Sequence, residues 1–228
     1  MGSLLATQLL GRVSFLLNDN TNVIWSPPEV LGWINDGQRA IVTRLPQAYP
    51  KRVVFALTPN DVLQVLPANA FRLVSIKRNM GVNGTTPGRP ILAISEMQLY
   101  NVDPTWPTTD GAADSQIKHY SYDPETPYTV WVYPRPSLPI QVEAWVSTMP
   151  DEITSMASPI TLDDSFFNPL IDYVLSRCYQ KNADVQGSPQ MIAGYLASFD
   201  AQLTSRDTGD HETTANTASS RMTGALPR

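Results

Sequence analysis

The order of segments in this 228-residue chain predicts an α+β fold. The N- and C-terminal helices form a helical bundle, a mostly antiparallel β domain lies between them, and an extended tail follows. Three observations lead there. Apolar residues recur at spacings of three and four near both ends. Between them lie about a hundred residues of alternating or short apolar runs, with most of the twenty prolines. After Arg206, large apolar side chains almost vanish. The expected boundaries are 1–50 and 160–206 for the discontinuous bundle, 51–159 for the β-rich domain and 207–228 for the tail.

Residues 3–17 read SLLATQLLGRVSFLL, with Leu5, Leu9, Val13, Leu16 and Leu17 on one helical stripe. Gly11 costs that helix about 1 kcal/mol relative to alanine, so close packing against a neighbour is expected there. Asn18, Asp19 and Asn20 end it. A second helix starts at Ser26, with Pro27 at the first helical position and Glu29 placed to complete a capping box. Val30, Ile34, Ile41 and Leu45 form its apolar stripe, and Pro46 stops it. The two helices pair antiparallel if Trp25 anchors the loop between them.

From Lys51 the period changes. Strands are expected at 52–57, 62–65, 71–77, 91–94, 116–122, 130–133 and 140–146, each rich in β-branched or aromatic residues and bounded by turn formers. No helical pattern interrupts them. Residues 79–90 (NMGVNGTTPGRP) read as a long turn, with Asn83-Gly84 as a type I′ point. Helix returns with Asn168-Pro169 as cap and first position, or one turn earlier at 161–164. Leu170, Ile171, Val174, Leu175 and Cys178 share its face. Gly187-Ser188-Pro189 ends that helix and caps the next, where Ile192, Tyr195, Leu196, Phe199 and Leu203 repeat the pattern. The tail is too polar to offset its ordering entropy alone, so it is expected to be disordered in isolation.

Composition bounds the function. Charged residues make up 16% against the usual quarter, which suits a surface partly covered by partners. A net charge of −5 argues against wrapping nucleic acid, which draws on Lys and Arg. No run approaches the apolar length of a membrane span, and 4–17 lacks the features of a secretory signal, so a cytosolic product is expected.

No residues converge on catalysis. Cys178 is the lone cysteine and sits among apolar neighbours, as a buried thiol does. His119 reads as a half-exposed strand histidine. Asp207, Asp210, His211 and Glu212 crowd together in the polar tail without a rigid frame for a metal. Asp163-Asp164 precedes a helix, where negative charge is favourable, and Asp151-Glu152 is a pair by sequence alone. The loop 81–88 lacks the Gly-Lys-Ser/Thr ending of a phosphate loop. Lys77, Arg78, Arg89 and Arg135 form no basic stripe with aromatics. The expectation is a non-enzyme with no catalytic residue, cofactor or metal site.

Several stretches, taken in order, carry a resemblance. They are LNDNTNVIWS at 17–26, EVLGWINDGQRAI at 29–41, RNMGVNG at 78–84, TPGRPI at 86–91, HYSYDP at 119–124, VYPRP at 132–136, LIDYVL at 170–175 and RCY at 177–179. The chain resembles the head-to-tail adaptor (connector) proteins of tailed bacteriophages, the short-tailed kind in particular, over about residues 1–205. The resemblance implies a virion protein of the neck. It implies a homo-oligomeric ring, typically twelve copies, docked beneath the portal protein and joined to a tail or nozzle protein. It also implies that genomic DNA passes through without specific binding, that no membrane is involved, and that the C-terminal tail reaches the portal. The tail's candidate anchors are Arg221, Met222, Leu226 and Arg228. Two alternatives belong to other classes. One is a carbohydrate-binding or adhesion module stacking sugars on Trp106, Tyr120, Tyr122 and Trp131. The other is a small hydrolase using Asp163, Asp164 or His119.

Overall fold

The computed structural model describes residues 2–108, 111–182 and 187–222, with side chains described through Asp207 in the last helix. The chain divides into two compact units, Met1–Leu45 with Pro150–Arg228, and Pro46–Met149. In chain order the elements begin with α1 (Ala6–Leu16), α2 (Pro27–Arg44), β1 (Pro50–Ala56), β2 (Leu63–Val65), β3 (Arg72–Asn79) and β4 (Leu92–Ala93). Next come α3 (Glu96–Val102), β5 (Ala113–Asp114), β6 (His119–Ser121), β7 (Thr129–Tyr133), β8 (Arg135–Pro136) and β9 (Gln141–Ser147). The chain then forms α4 (Phe167–Lys181) and α5 (Ser188–Met222). The fold is α+β, with helices before and after a central β region in the chain.

In the helical unit α4 touches α1, α2 and α5 and so forms the centre of the bundle. Leu9, Val13, Ile34, Ile41, Leu170, Val174 and Phe199 are buried, while Leu196 is half-buried. The α1 stripe is narrower than its spacing predicts, because Leu16 is 50% exposed. Gly11 has no atom within 4 Å of an added Cβ, so it makes no close contact. Gly37 does: its Cβ would lie 3.0 Å from Leu170 Cδ2 and from Tyr173 Cδ1. The close crossing is therefore α2 on α4.

Ser26 begins α2, but its side chain forms no cap and the expected box is absent. Proline removes the donor at the second helical position, and the donor at the third goes elsewhere. Pro27 and Pro28 occupy the first helical positions and have no N–H to offer. The first free donors, on Glu29 and Val30, go to the Ser26 carbonyl at 3.1 Å each. Glu29 pairs instead with Lys181 at 2.7 Å. The α1–α2 loop is organised by Asp19, whose carboxylate accepts from the N–H groups of Val23, Ile24 and Trp25. Trp25 is buried, as its anchoring role predicts.

Two polar side chains on α2 hold the segment leading into α4. Asn35 donates from Nδ2 to Ile153 O at 2.9 Å and accepts from Ile153 N at 3.0 Å. Gln38 Oε1 accepts from the N–H groups of Thr161 and Leu162. Both side chains are buried and satisfied, as a folded interior requires. The turn into α4 begins at Asp163, which accepts from Ser165 N at 3.0 Å, rather than at Asn168.

The C-terminal region departs from expectation. The helix α5 continues through Met222 where composition predicts an extended tail from residue 207. Propagation explains the difference. Once 188–207 is helical, each further residue adds one hydrogen bond without a new nucleus, and no proline intervenes before Pro227.

The β unit holds three small sheets, ordered β1-β9-β3, β2-β7-β6-β4 and β5-β8. The longer pairings are antiparallel, and β4–β6 and β5–β8 are parallel. All seven expected strands are present. Val130 and Val132 of β7 and Val142, Ala144 and Val146 of β9 alternate into the core. Asn79 ties the long turn to β6's approach, donating to Ile117 O and accepting from Ile117 N. The turn is not type I′. Gly81 and Gly84 have positive φ but Asn83 does not, and type I′ needs two adjacent such residues. Helix α3 was not expected. Its start carries a formed capping box, Ser95 with Gln98.

Candidate functional site

The residues that could support catalysis are dispersed into structural roles. Cys178 is fully buried, and that burial pushes its thiol up to about 12, far from the thiolate that reacts. His119 stacks on Tyr133 with centroids 6.4 Å apart. Burial, and then the neighbouring Lys118 charge, hold its imidazole below the usual value. Among the described residues, neither side chain hydrogen-bonds to a group that could act as general acid or base. Among the described residues, no three His, Cys, Asp or Glu side chains gather as a metal-ligand group. The side chains of Asp210, His211 and Glu212 lie outside the described residues.

Asp163 and Asp164 split their work. Asp163 caps the turn before α4. Asp164 clamps the start of the chain, accepting from Ser3 Oγ at 2.6 Å, Ser3 N at 2.7 Å and Leu4 N at 3.0 Å. The Ser3 hydroxyl, followed by the backbone donors, holds the Asp164 carboxyl below its ordinary value. Glu152 lies 3.5 Å from Arg39, which also pairs with Asp36.

The aromatic set considered as a sugar platform does not form one open face. Trp106 is 2% exposed and packs edge-on against Trp131, and Tyr120 is buried in the β core. A stacking platform needs open ring faces, which Trp106 and Tyr120 do not present; Tyr122 and Trp131 are half-buried.

The structure assembles one charged group that the sequence reading missed. Glu143, at the centre of β9, carries a side chain only 11% exposed. Arg52 Nε of β1 donates to it at 2.7 Å, and Arg78 Nε of β3 lies 3.3 Å away. The Arg52 hydrogen bond, with the Arg78 and Lys77 charges, holds the Glu143 carboxyl below its usual range against the effect of burial. Lys77 and Arg78, expected to form no basic stripe with aromatics, thus share the sheet with Arg52. Only strand register reveals this, because residues 52, 78 and 143 are far apart in sequence.

Of the expected portal anchors, Arg221 and Met222 fall on the last turn of α5. Their side chains, and all of Leu226 and Arg228, lie outside the described residues.

The chain belongs to the SU10 adaptor protein family, whose model matches residues 5–223. That match extends past the 1–205 of the sequence resemblance and takes in the whole of α5. It gives the chain a structural role in the phage virion. No curated protein matches the chain. Among the described residues, no helix is long and apolar enough to cross a membrane.

Proposed function

We propose that this chain is a head-to-tail adaptor that forms a ring, typically of twelve copies, beneath the portal protein and joins it to a tail or nozzle protein. The observation that carries the reading is the family match along residues 5–223, which spans both units. Genomic DNA passes through the ring without specific binding. Charge placement supports this: the unit Pro46–Met149 has eight basic and eight acidic residues, so the net −5 resides wholly in the helical unit. Like charge facing a DNA path keeps the polyanion from adhering. The C-terminal segment, with Arg221, Met222, Leu226 and Arg228, is the portal-binding element, its arginines suited to bidentate pairing with carboxylates. The protein resides in the virion neck after synthesis in the host cytoplasm, and it is not an enzyme. Negative-stain imaging of the purified chain, alone and with portal, tests the ring and its docking. A hydrolytic turnover abolished by one substitution at His119 or Cys178 would overturn the non-enzymatic reading.

A further inference from the structure

We infer that the outer face of the β1–β9–β3 sheet is one half of a head-to-tail contact, and that its occupant is the acidic helical unit of a second copy of this chain. The inference rests on the ring reading above. It starts from the alternation of β9. Val142, Ala144 and Val146 point into the core, so Glu143 and Trp145 lie on the opposite face. Register then places Arg52 beside Trp145 and brings Ser75 and Arg78 opposite Trp145 and Glu143. Arg72 opens β3 on the same sheet, and Lys77 sits at its bulge.

Three cations, Arg52, Arg78 and Lys77, therefore act on one carboxylate in a unit with no net charge, and Arg72 lies further along the same sheet. Arg52 and Arg78 remain about half exposed, at 54% and 47%. The Arg52 hydrogen bond to Glu143 runs through Nε. Its two Nη groups are left for another acceptor, in the fork geometry that matches a carboxylate. Glu143 thus fixes guanidiniums in place before any partner arrives, which lowers the entropic cost of binding.

The complementary surface is on the same chain. The helical unit carries thirteen acidic residues against eight basic ones. Asp36 and Glu152 share Arg39, with side chains 50% and 64% exposed, which leaves an acidic excess at that point. A closed ring needs a heterologous contact, in which two different patches of each copy meet. A basic patch on one unit and net acid on the other meet that requirement and steer copies head to tail.

The test uses the full chain, with assembly followed by sedimentation velocity and negative stain. The triple variant Arg52→Gln, Glu143→Gln, Arg78→Gln removes the charges without stranding a buried carboxylate. The double variant Arg72→Gln, Lys77→Gln removes charge at side chains that form no salt bridge among the described residues, without adding a carboxylate beside Glu143, so it decides the matter if the triple variant fails to fold. Each folded variant is expected to weaken assembly by about tenfold or more, and raising salt from about 0.05 M to about 0.5 M is expected to weaken the wild type. Either variant, mixed with wild type, should also interrupt ring closure, because its acidic half is intact. Variants that form rings as well as wild type overturn this contact and leave the ring reading standing. A wild type that forms no ring overturns both. Binding of an oligothymidylate that is lost in the variants, with assembly unaltered, assigns the face to nucleic acid instead.

Discussion

Gly11 and Gly37 occupy helices of one unit yet answer to different physics. Nothing lies near a Cβ at Gly11, so Gly11→Ala is expected to stabilise the protein by up to about 1 kcal/mol through helix propensity alone. At Gly37 the same methyl meets Leu170 and Tyr173 at 3.0 Å, so Gly37→Ala should lower the melting temperature. Thermal denaturation of the two variants checks the contrast in sign. Val174 is fully buried at the bundle centre, and Val174→Asp places an unpaired charge there. A cost of at least about 3–5 kcal/mol is expected, comparable to the whole stability of many domains. A soluble Val174→Asp variant that melts cooperatively would count against the bundle. Asp164 supplies a pH dependence. Its native carboxyl is depressed by the Ser3 hydroxyl and by backbone donors, so the ionised form favours the fold. That contribution is complete above the ordinary value of about 4 and is lost as pH falls through the lower native value. The melting temperature of wild type should therefore fall more steeply below about pH 4 than that of Asp164→Asn.

Caps at the helix starts separate appearance from geometry. Ser26 and Ser95 both precede sequences that resemble capping boxes. Only Ser95 forms one, with its Oγ accepting from Gln98 N and the Gln98 side chain accepting from Ser95 N. Ser95→Ala is expected to cost about 1 kcal/mol, and Ser26→Ala less than about 0.5 kcal/mol, because no side-chain bond is lost. Urea unfolding of the two variants resolves the difference. The four residues Ser95, Glu96, Met97 and Gln98 were a readable signal for α3, but a seven-residue helix shows too few turns to establish a period. Strands carried more weight. Seven of nine were readable from alternation and turn formers, and the two missed, β5 and β8, are two residues each.

For the whole molecule, the C-terminal segment offers the decisive truncation. The described packing contacts of α5 include those of Phe199, Leu203 and Arg206. Phe199 and Leu203 are buried, and Arg206 stacks on Phe166 and donates to Ser165. Deleting 207–228 is expected to leave the fold and its melting transition intact while weakening attachment to portal-bearing heads. Co-sedimentation of full-length and truncated protein with such heads measures this. Equal binding would remove the portal role from the segment, and a truncated chain that fails to fold would place the segment in the core. Helicity through Met222 changes how the attachment is pictured. A preformed helix presents Arg221 and Met222 at lower ordering cost than a disordered tail.

Periodicity alone determined that terminal helices flank a β region, because hydrophobic spacing reports local geometry directly. It also placed Leu9, Val13, Ile34, Ile41, Leu170, Val174 and Phe199 in a core, since a stripe of apolar residues must be covered. The ordered set of short matches at 17–26, 29–41, 78–84, 119–124 and 170–179 led to the adaptor family. Tertiary structure decided what depends on distant partners. It chose Gly37 over Gly11 as the close contact, turned Glu29 from a cap residue into a partner of Lys181, and gave Asn35 and Gln38 the task of holding 153–162. It also gathered Arg52, Arg78 and Glu143 from three strands into one charged group. Local spacing cannot contain such facts, because strand register and helix crossing join residues about 90, 120 and 150 positions apart, and the chain's own order says nothing of which will meet.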